Sequence, residues 1–252
     1  MPELRVLGVI PARWASSRFP GKPLADIAGK PMIQWVWEAA RRANALDRLV
    51  VATDDDRIYA AVCGFGGEAV MTPDTFASGS DRVAWVAARM PEYQVVANIQ
   101  GDEPLLEPGV LDAAVETILE DPAAEVVTLA RIVEDPTELE NVNTARVVVD
   151  HRGYALYFSR AVIPYCRDVP DLHQWPRHHP YLDQIGLYVY RRETLLRFAS
   201  LPPSSLEQAE KLEQLRLLQN GIRVKVRVVD TKPICVDTPE DLEVVRRMVA
   251  NP

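Results

Sequence analysis

The chain has 252 residues, 48% hydrophobic and 25% charged, with 12 glycines and 20 prolines, proportions that exclude a disordered or fibrous protein and leave room for a sizeable core. Lysine and arginine total 28 against 36 aspartate and glutamate, a net charge of −8, so no overall basic field is available for a nucleic-acid backbone. Cys63, Cys166 and Cys235 are far apart and lack metal-ligand spacing, no apolar run nears the roughly 20 residues of a membrane span, and residue 1 opens no signal-peptide pattern, which together predict a soluble cytosolic protein that binds neither nucleic acid nor membrane.

Apolar β-branched residues at 4–10 predict the first strand, and helical periodicity follows at 31–43. Strand 48–52, helix 55–65, helix 80–90, strand 94–99, helix 108–120 and strand 125–130 continue the same rhythm. This is the βαβ pattern of a mostly parallel sheet covered by helices on both faces. Gly64-Phe65-Gly66-Gly67 follows a helix instead of a strand, so it reads as a turn and not a dinucleotide fingerprint.

After about residue 130 the rhythm changes. Residues 145–150 and 154–159 predict a hairpin turning at His151-Arg152-Gly153, and 183–190 predict another strand, an antiparallel insert at about 130–190. His178-His179 has no third ligand nearby and reads as surface loop. Ser205 with Gln208 three residues later predicts a capped helix that ends near Asn220-Gly221. A strand at 223–229 and a helix from 238 complete the chain. With no linker or repeat to divide it, one domain over 1–252 is expected.

The first strand runs into a loop, Pro11 to Leu24, that joins small residues to Arg13, Arg18 and Lys22. The carboxyl end of a first parallel strand is where open α/β sheets bind ligands, and backbone N–H groups near Ala12 and Ser16 with three cations suit a triphosphate. Asp102, at the tip of the strand at 94–99, is placed to hold Mg²⁺ against phosphates, and Asp237, between a short strand and a helix, is its natural partner. Asp237 taken alone reads better as the start of the turn into the last helix. Ser78 and Ser80 open the third helix, either as an anion site or as simple caps. Arg160 ends the hairpin strand and has the chemistry to clamp an acid group.

These segments carry a resemblance to the cytidylyltransferases that activate 3-deoxy-manno-octulosonate (Kdo). Pro11-Ala12-Arg13, Ser16, Arg18 and Pro20-Gly21-Lys22-Pro23-Leu24 fit the family signature, and Val51-Ala52-Thr53-Asp54-Asp55, Ser78-Gly79-Ser80-Asp81-Arg82, Gln100-Gly101-Asp102-Glu103-Pro104, Leu212-Glu213-Gln214-Leu215-Arg216 and Val236-Asp237-Thr238-Pro239 follow in order. The resemblance implies a nucleotide-diphosphosugar-transferase type α/β fold, CTP as cosubstrate, Mg²⁺ on Asp102 and Asp237, and a homodimer formed partly through the antiparallel insert. It implies CTP contacts from Ala12, Arg13, Ser17, Lys22, Thr53, Asp54, Ser78, Gly79, Arg82 and Gln100. It also implies contacts to a small acidic acceptor from Arg18, Gln100, Arg160, Tyr188, Glu210 and Gln214, with Arg13, Lys22, Asp102 and Asp237 carrying catalysis.

Two positions depart from the family pattern. Phe76 and Gln184 stand where histidine is usual; phenylalanine forms no hydrogen bond to a hydroxyl, and glutamine offers an uncharged amide. Both are assigned to the acceptor pocket beside Arg160. The expected reaction is transfer of CMP from CTP to an acidic acceptor with release of pyrophosphate, by default to Kdo. The alternatives are 8-amino-Kdo, a small phosphonic acid, or a non-catalytic nucleotide-binding module.

Overall fold

The computed structural model describes residues 4–15, 19–76 and 78–250. In chain order the strands are β1 (Val6–Ala12), β2 (Asp26–Ile27), β3 (Lys30–Pro31), β4 (Arg48–Thr53), β5 (Ala69–Met71), β6 (Val95–Asn98), β7 (Val126–Ile132), β8 (Arg146–Val149), β9 (Ala155–Ser159), β10 (Leu182–Arg191) and β11 (Val224–Val228). The helices are α1 (Met32–Ala40), α2 (Asp56–Gly64), α3 (Gly79–Arg89), α4 (Pro108–Glu120), α5 (Arg192–Ser200), α6 (Ser205–Glu210), α7 (Gln214–Gln219) and α8 (Pro239–Ala250).

Among the described residues, nine strands form one sheet, ordered β11-β7-β10-β6-β1-β4-β5 with β8 on β10 and β9 on β8. β1, β4, β5 and β6 run parallel, with β1 and β6 in the interior buried on both faces and β5 at the partly exposed edge. The two-residue period along β1 sends Val6 and Ile10 to one core and Leu7 and Val9 to the other. α1, α2 and α4 close the first face, and α3, α5 and α7 the second. α8 packs separately through Leu242 and Val245 on Ile27 and Met32.

The antiparallel stretch expected at about 130–190 divides in two. β8 and β9 form the expected hairpin, with Gly153 at φ +77 in its turn. β10 instead enters the middle of the main sheet, antiparallel to β6 on one side and β7 on the other. Its apolar alternation is equally that of a buried central strand, which is why the sequence pattern alone did not distinguish the two.

The helix expected from Ser205 to about 220 is two helices. The first is capped one residue earlier, by Ser204 and Glu207, and Lys211 takes a left-handed φ of 54° that ends it before α7 begins. No glycine or proline marks this break, so periodicity ran through it. Among the described residues no helix is long and apolar enough to cross a membrane.

Candidate active site

The loop after β1 closes on itself where Gly21 N donates to Trp14 O at 3.0 Å. Gly21 has φ +72 and a Cβ there would meet the Trp14 ring at 2.8 Å, so glycine alone fits. Lys22 follows at once, and its Nζ donates to Asp102 Oδ2 at 2.8 Å and lies 3.5 Å from Asp237 Oδ1. Of the cations in this loop, Arg13 lines the cleft beside Lys22, whereas Ser16, Ser17 and Arg18 lie outside the described residues.

Asp102 is reached through Gly101, where a Cβ would come within 2.9 Å of the Pro11 carbonyl oxygen. The two strand ends therefore approach as closely as backbone allows. Asp237 arrives from the far end of the chain, because Val236 N donates to Asp102 O at 2.8 Å and the Val236 side chain is buried with Ile27 and Met32. The turn into α8 is capped by other groups: Asp241 Oδ2 accepts from the N–H groups of Asp237 and Thr238, each at 2.9 Å, and Thr238 Oγ1 accepts from Asp241 N. Asp237 is thus not the cap, and its carboxylate faces Lys22.

A continuous cleft runs across the carboxyl ends of β1 and β6 in three lobes. The first is lined by Ala12, Arg13, Lys22, Ser78, Gly79 and Arg82. Gln100, Asp102 and Asp237 line both this lobe and the second, which adds Asn98, Glu103, Tyr188, Glu213 and Gln214. The third continues past Glu213 and Gln214 to Gln184, Asn143 and Lys232.

Arg82 is held rigidly in the wall of the first lobe. Its side chain is 3% exposed, Nη2 pairs with Asp54 at 2.5 Å, and Nη1 donates to Thr72 Oγ1. Thr53 is buried outright and uses its carbonyl to accept from Thr72 N and Oγ1. Thr53 and Asp54 line none of the three lobes; they orient Arg82 from behind, because the loop after β5 closes over them. The same loop carries Phe76, which lines the first lobe with Arg82, their centres 5.8 Å apart. Phe76 is therefore separated from Gln184, and the single pocket expected for Phe76, Gln184 and Arg160 does not form.

Arg160 also has a different occupation from the clamp expected of it. Nε donates to Glu210 O at 2.8 Å, Nη1 to Val142 O and Asn143 O at 3.1 and 3.0 Å, and Nη2 to Lys211 O at 3.3 Å. Its guanidinium ties together three segments of backbone. Glu210 accepts from Ser159 Oγ at 2.7 Å and from Arg160 N at 2.9 Å, and neither residue lines the cleft. The break at Lys211 removes the shared helical face that would have aligned Glu210 with Gln214.

Glu213 is what the break delivers in its place. Its carboxylate accepts from Ser78 Oγ at 3.0 Å and Ser80 Oγ at 2.8 Å, joining α7 to the first turn of α3. Burial pushes its carboxyl up, opposed by those two donors. Ser78 is also a true cap, in a reciprocal box with Asp81. Glu103, beside Asp102, is 4% exposed and pushed up to about 7 by burial and by the Asp102 charge. Burial and the Glu213 charge likewise raise the Tyr188 hydroxyl. Glu103 and Glu213 stand inside the motifs Gln100-Gly101-Asp102-Glu103-Pro104 and Leu212-Glu213-Gln214-Leu215-Arg216, so the signal for both was the motif itself.

A charged cleft at the carboxyl end of the sheet suits a nucleotidyltransferase, and residues 7–226 match the cytidylyltransferase family, which places the chain in that class. A 3-deoxy-manno-octulosonate cytidylyltransferase of Syntrophotalea carbinolica is 52% identical over 241 residues, 95% of this chain and 96% of that protein. One from Geobacter sulfurreducens is 48% identical over 95% of this chain and 97% of its own. A solved CMP:2-keto-3-deoxy-manno-octonic acid synthetase complexed with CTP superposes with a TM-score of 0.91 at 43% identity, over 98% of each chain. The chain belongs to the 3-deoxy-manno-octulosonate cytidylyltransferase family and is an enzyme, not a non-catalytic module.

Proposed function

We propose that this enzyme transfers CMP from CTP to Kdo, releasing pyrophosphate, and that it does so with Mg²⁺. The observation that carries the reading is the meeting of Lys22, Asp102 and Asp237 within 3.5 Å where the cationic lobe opens into the second. Two carboxylates already share one cation there. Among the described residues no group of three or more His, Cys, Asp and Glu is arranged for a metal, and a small hard cation that takes one or two carboxylates and completes its shell with phosphate oxygens and water fits that donor set. Asp102 and Asp237 would hold the ion, which when bound neutralises charge on the reacting phosphates.

The other groups act by position and charge. Arg13, Lys22 and Arg82 neutralise the triphosphate, and the first turn of α3 offers N–H groups at Gly79 and Ser80. Ser17 and Arg18 belong to the same loop and are assigned with it. The anomeric hydroxyl of the acceptor attacks the α-phosphorus in line, the bond to the β-phosphate oxygen breaks, and the hydroxyl proton passes to water. No covalent enzyme intermediate is needed, so orientation and electrostatics supply the rate. Gln100 lies between the substrates, and Tyr188, Glu213 and Gln214 surround the acceptor.

Pyrophosphate release from CTP tests the reading against Kdo, 8-amino-Kdo and a small phosphonic acid. Kdo is expected to be the best acceptor, with release abolished by EDTA and restored by Mg²⁺. No release with Kdo overturns the reading, and preference for either of the others reassigns the acceptor. We also infer a homodimer, supported by exposed apolar side chains on the hairpin and neighbouring loops, Leu156 at 62% and Tyr165 at 73%. A light-scattering mass near the 28.2 kDa of one chain would exclude it.

A further inference from the structure

β10 carries a bulge. Its register against β7 shifts between Ile185 and Tyr188, and this frees main-chain oxygens from the ladder. Thr128 Oγ1, fully buried on β7, donates to Ile185 O and Leu187 O at 3.1 and 3.0 Å. The Gln184 amide lies against the same bulge, with one terminal atom 2.8 Å from Ile185 O, 3.0 Å from Thr128 Oγ1 and 2.9 Å from the Tyr188 hydroxyl.

A carbonyl oxygen only accepts, so the Gln184 atom facing Ile185 O is the nitrogen, and this network assigns the amide orientation. The Gln184 oxygen then faces the other way. It accepts from Gln214 Nε2 at 3.1 Å, so the second amide is oriented in turn, its nitrogen directed at Gln184. Gln214 lines the second and third lobes. Its oxygen is the end left for a ligand.

We propose that the β10 bulge, through Thr128 and Gln184, polarises Gln214 so that it presents a hydrogen-bond acceptor to the sugar, and that the lobe therefore selects a hydroxyl which donates. Gln184 is a positioning residue and Gln214 the specificity-determining one. A neutral imidazole at position 184 keeps one donor nitrogen for Ile185 O and one acceptor nitrogen for Gln214, so the histidine usual at this position performs the same relay. Glutamine does it without a titrating group.

The inference rests on the functional reading above, and its test separates the two. CTP-dependent turnover of Kdo by the wild-type enzyme comes first; its absence overturns the functional reading and this one with it. Deoxy and deoxyfluoro Kdo analogues at each hydroxyl are then compared, because fluorine accepts weakly but never donates. One hydroxyl is expected at which both replacements lower kcat/KM about tenfold in the wild type and neither does so in Gln214→Leu. Gln184→Leu is expected to raise KM for Kdo about fivefold to tenfold at unchanged KM for CTP, with Gln184→His close to the wild type. The proposal is overturned if no such hydroxyl exists, if fluorine restores activity at it, or if Gln184→Leu shifts KM for CTP together with KM for Kdo.

Discussion

The lobe around Lys22, Asp102 and Asp237 and the lobe around Gln184 and Gln214 belong to one cleft and differ in what fixes their polar groups. The first is made of charges: Lys22 against two carboxylates, Arg82 against Asp54. The second has charges of its own, Arg131 against Glu138 and Asp183, but adds two neutral amides, Gln184 and Gln214, whose direction is set from a backbone carbonyl at a bulge. Charges act over distance and tolerate small displacements, whereas an amide turned end for end reverses its meaning. Under the function proposed above, nucleotidyl transfer would fall to the tolerant lobe and the choice of acceptor to the exacting one.

The largest effect that would break this comparison is expected at Asp102. Asp102→Asn keeps the shape and removes a charge at the reacting phosphates, so kcat should fall on the order of 10³-fold with the unfolding midpoint nearly unchanged. Near-normal pyrophosphate release from that variant would remove the charged lobe from the reaction. Next comes Asp54→Ala, which leaves the Arg82 guanidinium buried without its partner and should cost about 3 kcal/mol in urea unfolding. A rise in KM for CTP without any loss of stability would make Asp54 a ligand contact instead of a support.

Glu103 sharpens the comparison at the border of the two lobes. Its carboxyl is raised from 4.5 to about 7, so the native protein binds a proton there that the unfolded chain releases. The resulting stability is fully present below about pH 4.5 and is lost as pH rises through about 7. In EDTA, Glu103→Gln should lack this decline, which in the wild type amounts to about 3 kcal/mol. Parallel stability curves for the two proteins from pH 5 to 8 would show that Glu103 ionises normally. The smallest effect is expected at Arg160. Arg160→Met loses hydrogen bonds to four carbonyls and should lower stability by about 1–2 kcal/mol, with KM for Kdo changing less than in Gln184→Leu; a larger change would return Arg160 to the acceptor site.

The charged lobe was legible because its residues sit in short local motifs at strand ends. Asp102 follows an apolar strand directly, and Lys22 follows a Gly that only a tight turn requires. Thr53, Asp54 and Ser78 were found in the right neighbourhood, but Thr53 and Asp54 support Arg82 from outside the cleft. The acceptor lobe was legible only in part. Its form depends on a left-handed Lys211 and a bulge in β10, neither marked by local composition. Glu210 was assigned from the family resemblance, with an unbroken helix setting it on one face with Gln214, whereas the structure brings Glu213 to Ser78 and Ser80. Phe76 and Gln184 were grouped because both replace histidine, a chemical likeness that says nothing about distance.

The central position of β10 bears on how the chain assembles as it is made. Among the described residues β6 and β7 are joined only through β10, so neither half of the sheet closes until residue 191 has left the ribosome, and β11 and Asp237 come later still. At roughly 5–20 residues per second, the edge of β6 waits several seconds for its neighbour, exposed to pairing with other nascent chains. Among charged cleft residues, Lys22 and Asp102 are made in the first half of synthesis and Asp237 near its end. A nascent chain therefore cannot bind nucleotide in the complete site until synthesis is almost over, and the step most open to rescue by a chaperone is the insertion of a single ten-residue strand.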